Sequence, residues 1–143
     1  MPSERSAGAV VFRMDGDEIR FLLLRKGENY WDLPKGNIDS GEDEITTAKR
    51  EILEETGLSD VKFLESFKEK ISYFYKRDGK TIYKEVIFFL AETHDEEVKI
   101  SSEHDGFEWL NYQEAVKKAK SKDVINKANE FLTKRPKNLK EFV

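Results

Sequence analysis

An α+β sandwich with a mixed β-sheet is the fold class this sequence predicts, and three observations predict it. One acid-rich stretch near the middle reads as a helix with both ends marked. Runs of β-branched and aromatic residues that read as strands lie on either side of it, and two stretches with helical spacing close the chain. At 143 residues, 38% apolar and 38% charged, the chain fits a single domain, 1–143, whose core is large enough to stand alone.

Each element follows from local chemistry. Met1 to Arg5 is polar and reads as a loose start. Ser6 to Arg13, SAGAVVFR, is a small-residue and β-branched strand, and Met14 to Asp17 carries turn chemistry. Glu18 to Arg25 returns, and its continuous Phe21-Leu22-Leu23-Leu24 run implies burial on both faces. Lys26 to Asn29 is a loop leading into Tyr30-Trp31-Asp32-Leu33-Pro34-Lys35-Gly36. After the central helix, Ser59-Asp60 turns into Val61 to Tyr75, one or two strands with a hinge near Lys68 to Lys70. Asp78-Gly79, between two alternating apolar runs, marks a hairpin whose second arm is Thr81 to Glu92. His94 to Lys99 is an acidic loop, and Phe107 to Leu110 a last strand with Trp109 and Leu110 in the core. Asn111 to Lys120 and Asp123 to Leu132 have helical spacing, and Pro136 ends regular structure ahead of a tail, Lys137 to Val143.

The central helix holds the chemistry. Ser40 and Asp43 fit a capping box, Gly41 eases the entry, and Glu42, Asp43 and Glu44 complement the positive end of the dipole. Gly57 suits the left-handed cap at the far end. Glu51, Glu54 and Glu55 fall at i, i+3 and i+4, so at about 3.6 residues per turn all three carboxylates share one face. Like charges so spaced repel, and a helix that keeps them needs a countercharge, for which a hard divalent cation is the natural choice. Ile45, Ala48 and Ile52 lie about a quarter-turn away and mark the buried side.

Charge and composition narrow the function further. Of the net charge of −4, Gly36 to Leu58 supplies seven acids against two bases, leaving +1 for the rest of the chain. Such a chain lacks the basic excess that general nucleic-acid binding needs. With no cysteine, disulfides, thiolate metal sites and thiol catalysis are excluded. No signal-peptide pattern and no apolar run of bilayer length is present, so a soluble, cytoplasmic protein without membrane contact is expected.

The pattern Gly36, five residues, Glu42, seven residues, then Arg50-Glu51-Ile52-Leu53-Glu54-Glu55-Thr56-Gly57-Leu58 resembles the signature of the Nudix hydrolases at every specified position. The resemblance implies the Nudix fold, an α/β/α sandwich, and Mg²⁺-dependent hydrolysis of a nucleoside diphosphate linked to another group, with Mn²⁺ as a second possible ion. Trp31, two residues, then Pro34-Lys35-Gly36 is similar to the diadenosine tetraphosphate hydrolase branch, whose members split bis(nucleosyl) polyphosphates. By that resemblance Glu51, Glu54, Glu55, Glu103 and the Lys35 carbonyl hold one to three ions. Arg50 orients Glu51, Glu42 supports the shell from the loop, and Glu51 or Glu103 takes the proton of the attacking water. Lys35 and Lys84 contact the polyphosphate and Tyr73 stacks adenine; Tyr30 stands where several members have a histidine. Diadenosine tetraphosphate would give ATP and AMP. An RNA 5′-pyrophosphohydrolase, a triphosphate-sanitising enzyme and a non-catalytic nucleotide sensor are the alternatives. Oligomeric state stays open.

Overall fold

The computed structural model describes residues 3–134. Its organising strand is β1 (Ser3–Asp15), which runs parallel to β7 (Lys80–Thr93) along one edge. On its other edge β1 changes partner. Its outer half pairs antiparallel with β2 (Glu18–Lys26) from Phe12 to Asp15, and its inner half pairs with β4 (Lys35–Asn37) from Ser6 to Gly8. β3 (Tyr30–Asp32) and β8 (Gly106–Leu110) flank β2, while β5 (Val61–Phe63) and β6 (Glu69–Arg77) pair antiparallel with β7, completing an eight-stranded mixed sheet.

Period-two alternation divides the core between the two faces. Val10, Phe12, Phe21, Leu23, Val86 and Phe88 face α2 (Tyr112–Lys118) and α3 (Lys122–Lys134), packing with Ala115, Val124 and Ile125. Ala9, Val11, Leu22, Leu24 and Ala91 face the other way and pack with Ile52 of α1 (Glu44–Thr56). Both faces are therefore covered, which is why Phe21 to Leu24 reads as an unbroken apolar run and is buried throughout. The result is an α/β/α sandwich. No helix among the described residues is long and apolar enough to cross a membrane.

Several local expectations need correction. The helix cap is Asp43, not Ser40: Asp43 has extended backbone and its carboxylate accepts the Thr46 N–H at 2.8 Å. A carboxylate one residue outside the first helical residue reaches that amide, whereas Ser40 lies a turn too early. The start of the chain is not loose at Ser3, because pairing of Ser3 with Tyr83 extends β1 to that residue. Lys35 to Asn37, which no local pattern marks as a strand, forms a short strand against β1. Phe74 is 61% exposed, on edge strand β6, facing away from Tyr73 and Tyr75. Trp109 is half-buried, its indole N–H donating to the Glu96 carbonyl at 3.0 Å, while Leu110 is core. The hairpin at Asp78-Gly79 forms as expected, both residues at positive φ. Pro136 and the segment 137–143 fall outside the described residues.

The partner exchange of β1 needs a residue without a side chain at its crossing point. A Cβ on Gly8 would lie 2.1 Å from the Pro34 carbonyl and 2.6 Å from the Lys35 Cβ. Gly8→Ala is expected to cost about 1–3 kcal/mol of stability through this overpacking, read as a lowered midpoint in denaturant unfolding. An unchanged midpoint would show that β4 has no fixed seat on β1.

Candidate active site

The acidic face of α1 is not a solvent face. Glu51 is 9% and Glu55 7% exposed, while the Glu54 side chain stays 55% exposed. The three carboxylates that sequence spacing treats alike therefore meet three environments. Glu55 is turned against β4, its Oε1 accepting the Lys35 N–H at 3.1 Å. Glu51 rests on Gly36 so closely that a Cβ there would stand 2.1 Å from its carboxyl carbon. That contact is the physical reason for glycine at the head of the acidic stretch. Gly57 closes the helix in the left-handed conformation, φ 73°, donating to the Leu53 carbonyl at 2.9 Å.

Arg50 gathers the acids around it. Its guanidinium donates to both Glu42 oxygens at 2.7 and 2.9 Å, to Glu51 at 3.1 Å, to Glu54 at 3.2 Å and to the Asn37 carbonyl at 3.0 Å. Glu42, also accepting from the Asp39 N–H and the Thr47 hydroxyl, is held down to about 2, chiefly by Arg50. Arg50 is held above its already high range by the same contacts. Among the described residues no ammonium or guanidinium pairs with Glu55: burial first, and the neighbouring Glu51 second, push its carboxyl up to about 8. Glu51 moves up as well, from burial and then Glu54, against the pull of Arg50.

Of these groups Glu55 lines a cavity of about 470 Å³, together with Gly36, Glu103 and His104. Glu103 is exposed, on the 101–105 loop, and acts electrostatically on both Glu51 and Glu55. His104 is half-buried beside it and its basicity is lowered by that burial. A second cleft of about 920 Å³ adjoins, and Tyr30, Asp32, Lys35 and Lys84 line both. One wall of the second cleft is the edge strand, with Ile71, Tyr73 and Tyr75; the other is the α2–α3 junction, Lys120 to Val124.

The lysine pair between the two spaces is supported by acids that sequence reasoning missed. Lys35 Nζ sits 3.3 Å from Asp32, which is buried and also accepts the Ser121 N–H. Burial works against the Lys35 ammonium, but Asp32 and Tyr30 outweigh it and raise its pKa above the ordinary value. Lys84 lies directly across from Glu4 on β1 and from Tyr73 on β6, so the three form one row over three strands. Burial depresses Lys84, and Glu4 at 3.8 Å opposes it. Glu4 also accepts from Tyr75 at 2.5 Å and from Arg77 at 3.0 Å. Asp32 had a weak signal in its i,i+3 spacing to Lys35. Glu4 had none, since its place depends on the parallel β1–β7 register.

The donor set suits a hard divalent cation: oxygen ligands only, two of them desolvated, one holding a proton that a cation would displace. Among the described residues no three acidic or imidazole side chains yet close on one point. Glu55 and Glu51 are the core of the set, with Glu54 and Glu103 at its margin. Because Glu55 titrates higher folded than unfolded, the native state binds the extra proton between about pH 4.5 and 8. The metal-free protein is therefore expected to lose stability as pH rises through that window, on the order of a few kcal/mol in all. Glu55→Gln is expected to flatten the slope, and divalent cation to stabilise more at pH 8 than at pH 5.5; urea unfolding at several pH values reads both.

Comparison with known proteins places this geometry. The NUDIX domain model matches residues 2–131. The asymmetrical bis(5′-nucleosyl)-tetraphosphatase of Mus musculus is 35% identical over 147 aligned positions, covering 92% of this chain and 97% of the relative. A crystal structure titled as a binary complex of a C. elegans Ap4A hydrolase superposes with a TM-score of 0.80 at 32% identity, over 91% of this chain and 98% of that one. An RNA pyrophosphohydrolase of Pelagibacter ubique is 29% identical over 119 positions, covering 76% of this chain and 75% of the relative. An α/β/α sandwich that sets the carboxylates of one helix against a glycine-backed strand, matched along nearly its whole length by such relatives, belongs to the Nudix hydrolase family.

Proposed function

We propose that this chain hydrolyses a bis(5′-nucleosyl) tetraphosphate, converting diadenosine tetraphosphate to ATP and AMP by attack of water at phosphorus. The observation that carries the reading is the placement of Lys35 and Lys84 between an acid-lined cavity and a tyrosine-walled cleft. A polyphosphate lying on the two ammonium groups presents a phosphorus to the carboxylates at one end and a nucleoside to Tyr73 at the other. Tyr73, 41% exposed on a wall that continues into Tyr75, offers a face on which a base can stack, at about 1–3 kcal/mol. Relatives named for this activity match more than nine-tenths of the chain.

Nudix hydrolases generally use divalent metal ions. Magnesium is the proposed ion here, with manganese a second fit to the same oxygen donors. When bound, the ion neutralises phosphate charge and acidifies water. Glu51, Glu54, Glu55 and the Lys35 carbonyl are the proposed ligands. Arg50 orients Glu51 by a charge-assisted bond and opposes the upward pull of burial and Glu54 on its carboxyl. Glu103, exposed and with no cation bound to its carboxylate among the described residues, is the proposed acceptor of the water proton. Tyr30, between the lysines and the α2–α3 junction, orders the phosphates rather than the base.

Incubation of diadenosine tetraphosphate with Mg²⁺ in oxygen-18 water is expected to yield ATP and AMP with label in one product only. Preferential release of pyrophosphate from triphosphorylated RNA would overturn the reading. Glu103→Gln should lower kcat by about two to three orders of magnitude with little change in KM; unaltered kcat removes Glu103 from the proton transfer. Lys84→Met should instead raise KM, since its ammonium is assigned to binding.

A further inference from the structure

The ammonium groups around the larger cleft are not equally committed. Lys35 is paired with Asp32 and Lys84 with Glu4. Lys122 donates to the Val116 and Lys117 carbonyls at 2.6 and 2.9 Å, capping the end of α2. Lys120 differs: among the described residues no carboxylate or carbonyl lies within bonding distance of its Nζ, which stands 5.7 Å from the centroid of the Tyr30 ring. Its backbone is nevertheless fixed, because the Lys120 N–H donates to the Trp31 carbonyl at 2.9 Å and the Ser121 N–H to the buried Asp32 at 3.3 Å. An exposed ammonium with no acidic partner among the described residues is thus carried on a junction held by backbone hydrogen bonds, in the cleft that Tyr73 also lines.

Tyr30 also sets the spacing. Its phenol feels the charge of Lys35, while its ring carries the ammonium of Lys120. Lys120 lines only the larger cleft whereas the lysine pair lines both spaces, so the free cation lies on the side of the pair away from the acid-lined cavity. We propose that Lys120 is a specificity-determining residue whose ammonium takes an anionic group of the substrate lying beyond the phosphates held by Lys35 and Lys84, so that the cleft selects nucleotides with long polyphosphate chains. This rests on the reading of the lysine pair as phosphate contacts. A short chain is exhausted at Lys35 and Lys84 and gains nothing from Lys120; a longer one reaches it, and among the described residues the cation has no carboxylate to give up, only the face of Tyr30.

The test is chain-length discrimination. Wild type, Lys120→Met and Lys120→Arg are assayed on diadenosine tri-, tetra- and pentaphosphate. Lys120→Met is expected to reduce the kcat/KM ratio of pentaphosphate to triphosphate by about fivefold, mainly through KM, and Lys120→Arg to restore most of it. The loss should shrink as salt is raised. Lys118→Met, which removes a neighbouring ammonium that pairs with Glu108 outside the cleft, is expected to leave the ratio unchanged. Calorimetry of adenosine 5′-tetraphosphate and of ADP, without added metal, gives a readout independent of turnover: wild type should favour the tetraphosphate more than Lys120→Met does. Equal discrimination by the two proteins, or the same proportional loss on every chain length, overturns the assignment. A wild type that binds neither nucleotide overturns the lysine-pair reading on which it rests.

Discussion

Two carboxylates on one helix are held inside the protein against the backbone of Lys35 and Gly36, and the rest of the structure follows from the need to keep them there. Burying one unpaired carboxylate is expensive, and burying two side by side is worse. The chain meets the cost unevenly. Glu51 is given a guanidinium, whereas Glu55 is given one backbone N–H and left protonated near neutrality. One buried acid is thus left without an ion-pair partner among the described residues.

That arrangement explains features of the scaffold far from the acids. The carboxylates reach the sheet only because β1 exchanges β2 for β4 along its edge, and the exchange needs Gly8 beneath Pro34 and Gly36 beneath Glu51. Arg50 can serve Glu51 only because Glu42, Asn37 and Glu54 share its remaining donors and hold the planar group in place. Helix α1 packs its apolar side on Ala9, Val11 and Leu22 through Ile52, and this fixes the height of the acids over the sheet.

The larger cleft follows a different electrostatic logic. Its inner lysines each face an acid in the free protein, Lys35 at 3.3 Å from Asp32 and Lys84 at 3.8 Å from Glu4. The aromatic wall lies on the exposed edge strand β6, where a tyrosine can be half-wet without breaking the core. The opposite wall is tied to β3 by backbone bonds, so the width of the cleft is set by rigid elements and not by side-chain packing alone.

Much of this was legible in the residues. Period-two runs marked the long strands, Asp78-Gly79 the hairpin, and the glutamate spacing and Gly57 the helix and its end, because those signals act within a few residues. The sheet faces of Phe21 to Leu24 could be inferred from continuity, and the family from the acidic signature. What lay beyond local chemistry was any fact that depends on which strands become neighbours. Only the folded chain separates Glu51, Glu54 and Glu55 into a paired, an exposed and a protonated acid, brings Glu4 across from Lys84, turns Phe74 outward and leaves Lys120, among the described residues, without an acidic partner. Which groups could do the chemistry is written in residue type and helical spacing, both local properties. Their charge states and their company come from the folded arrangement, because desolvation and ion pairing are set by neighbours distant in the chain.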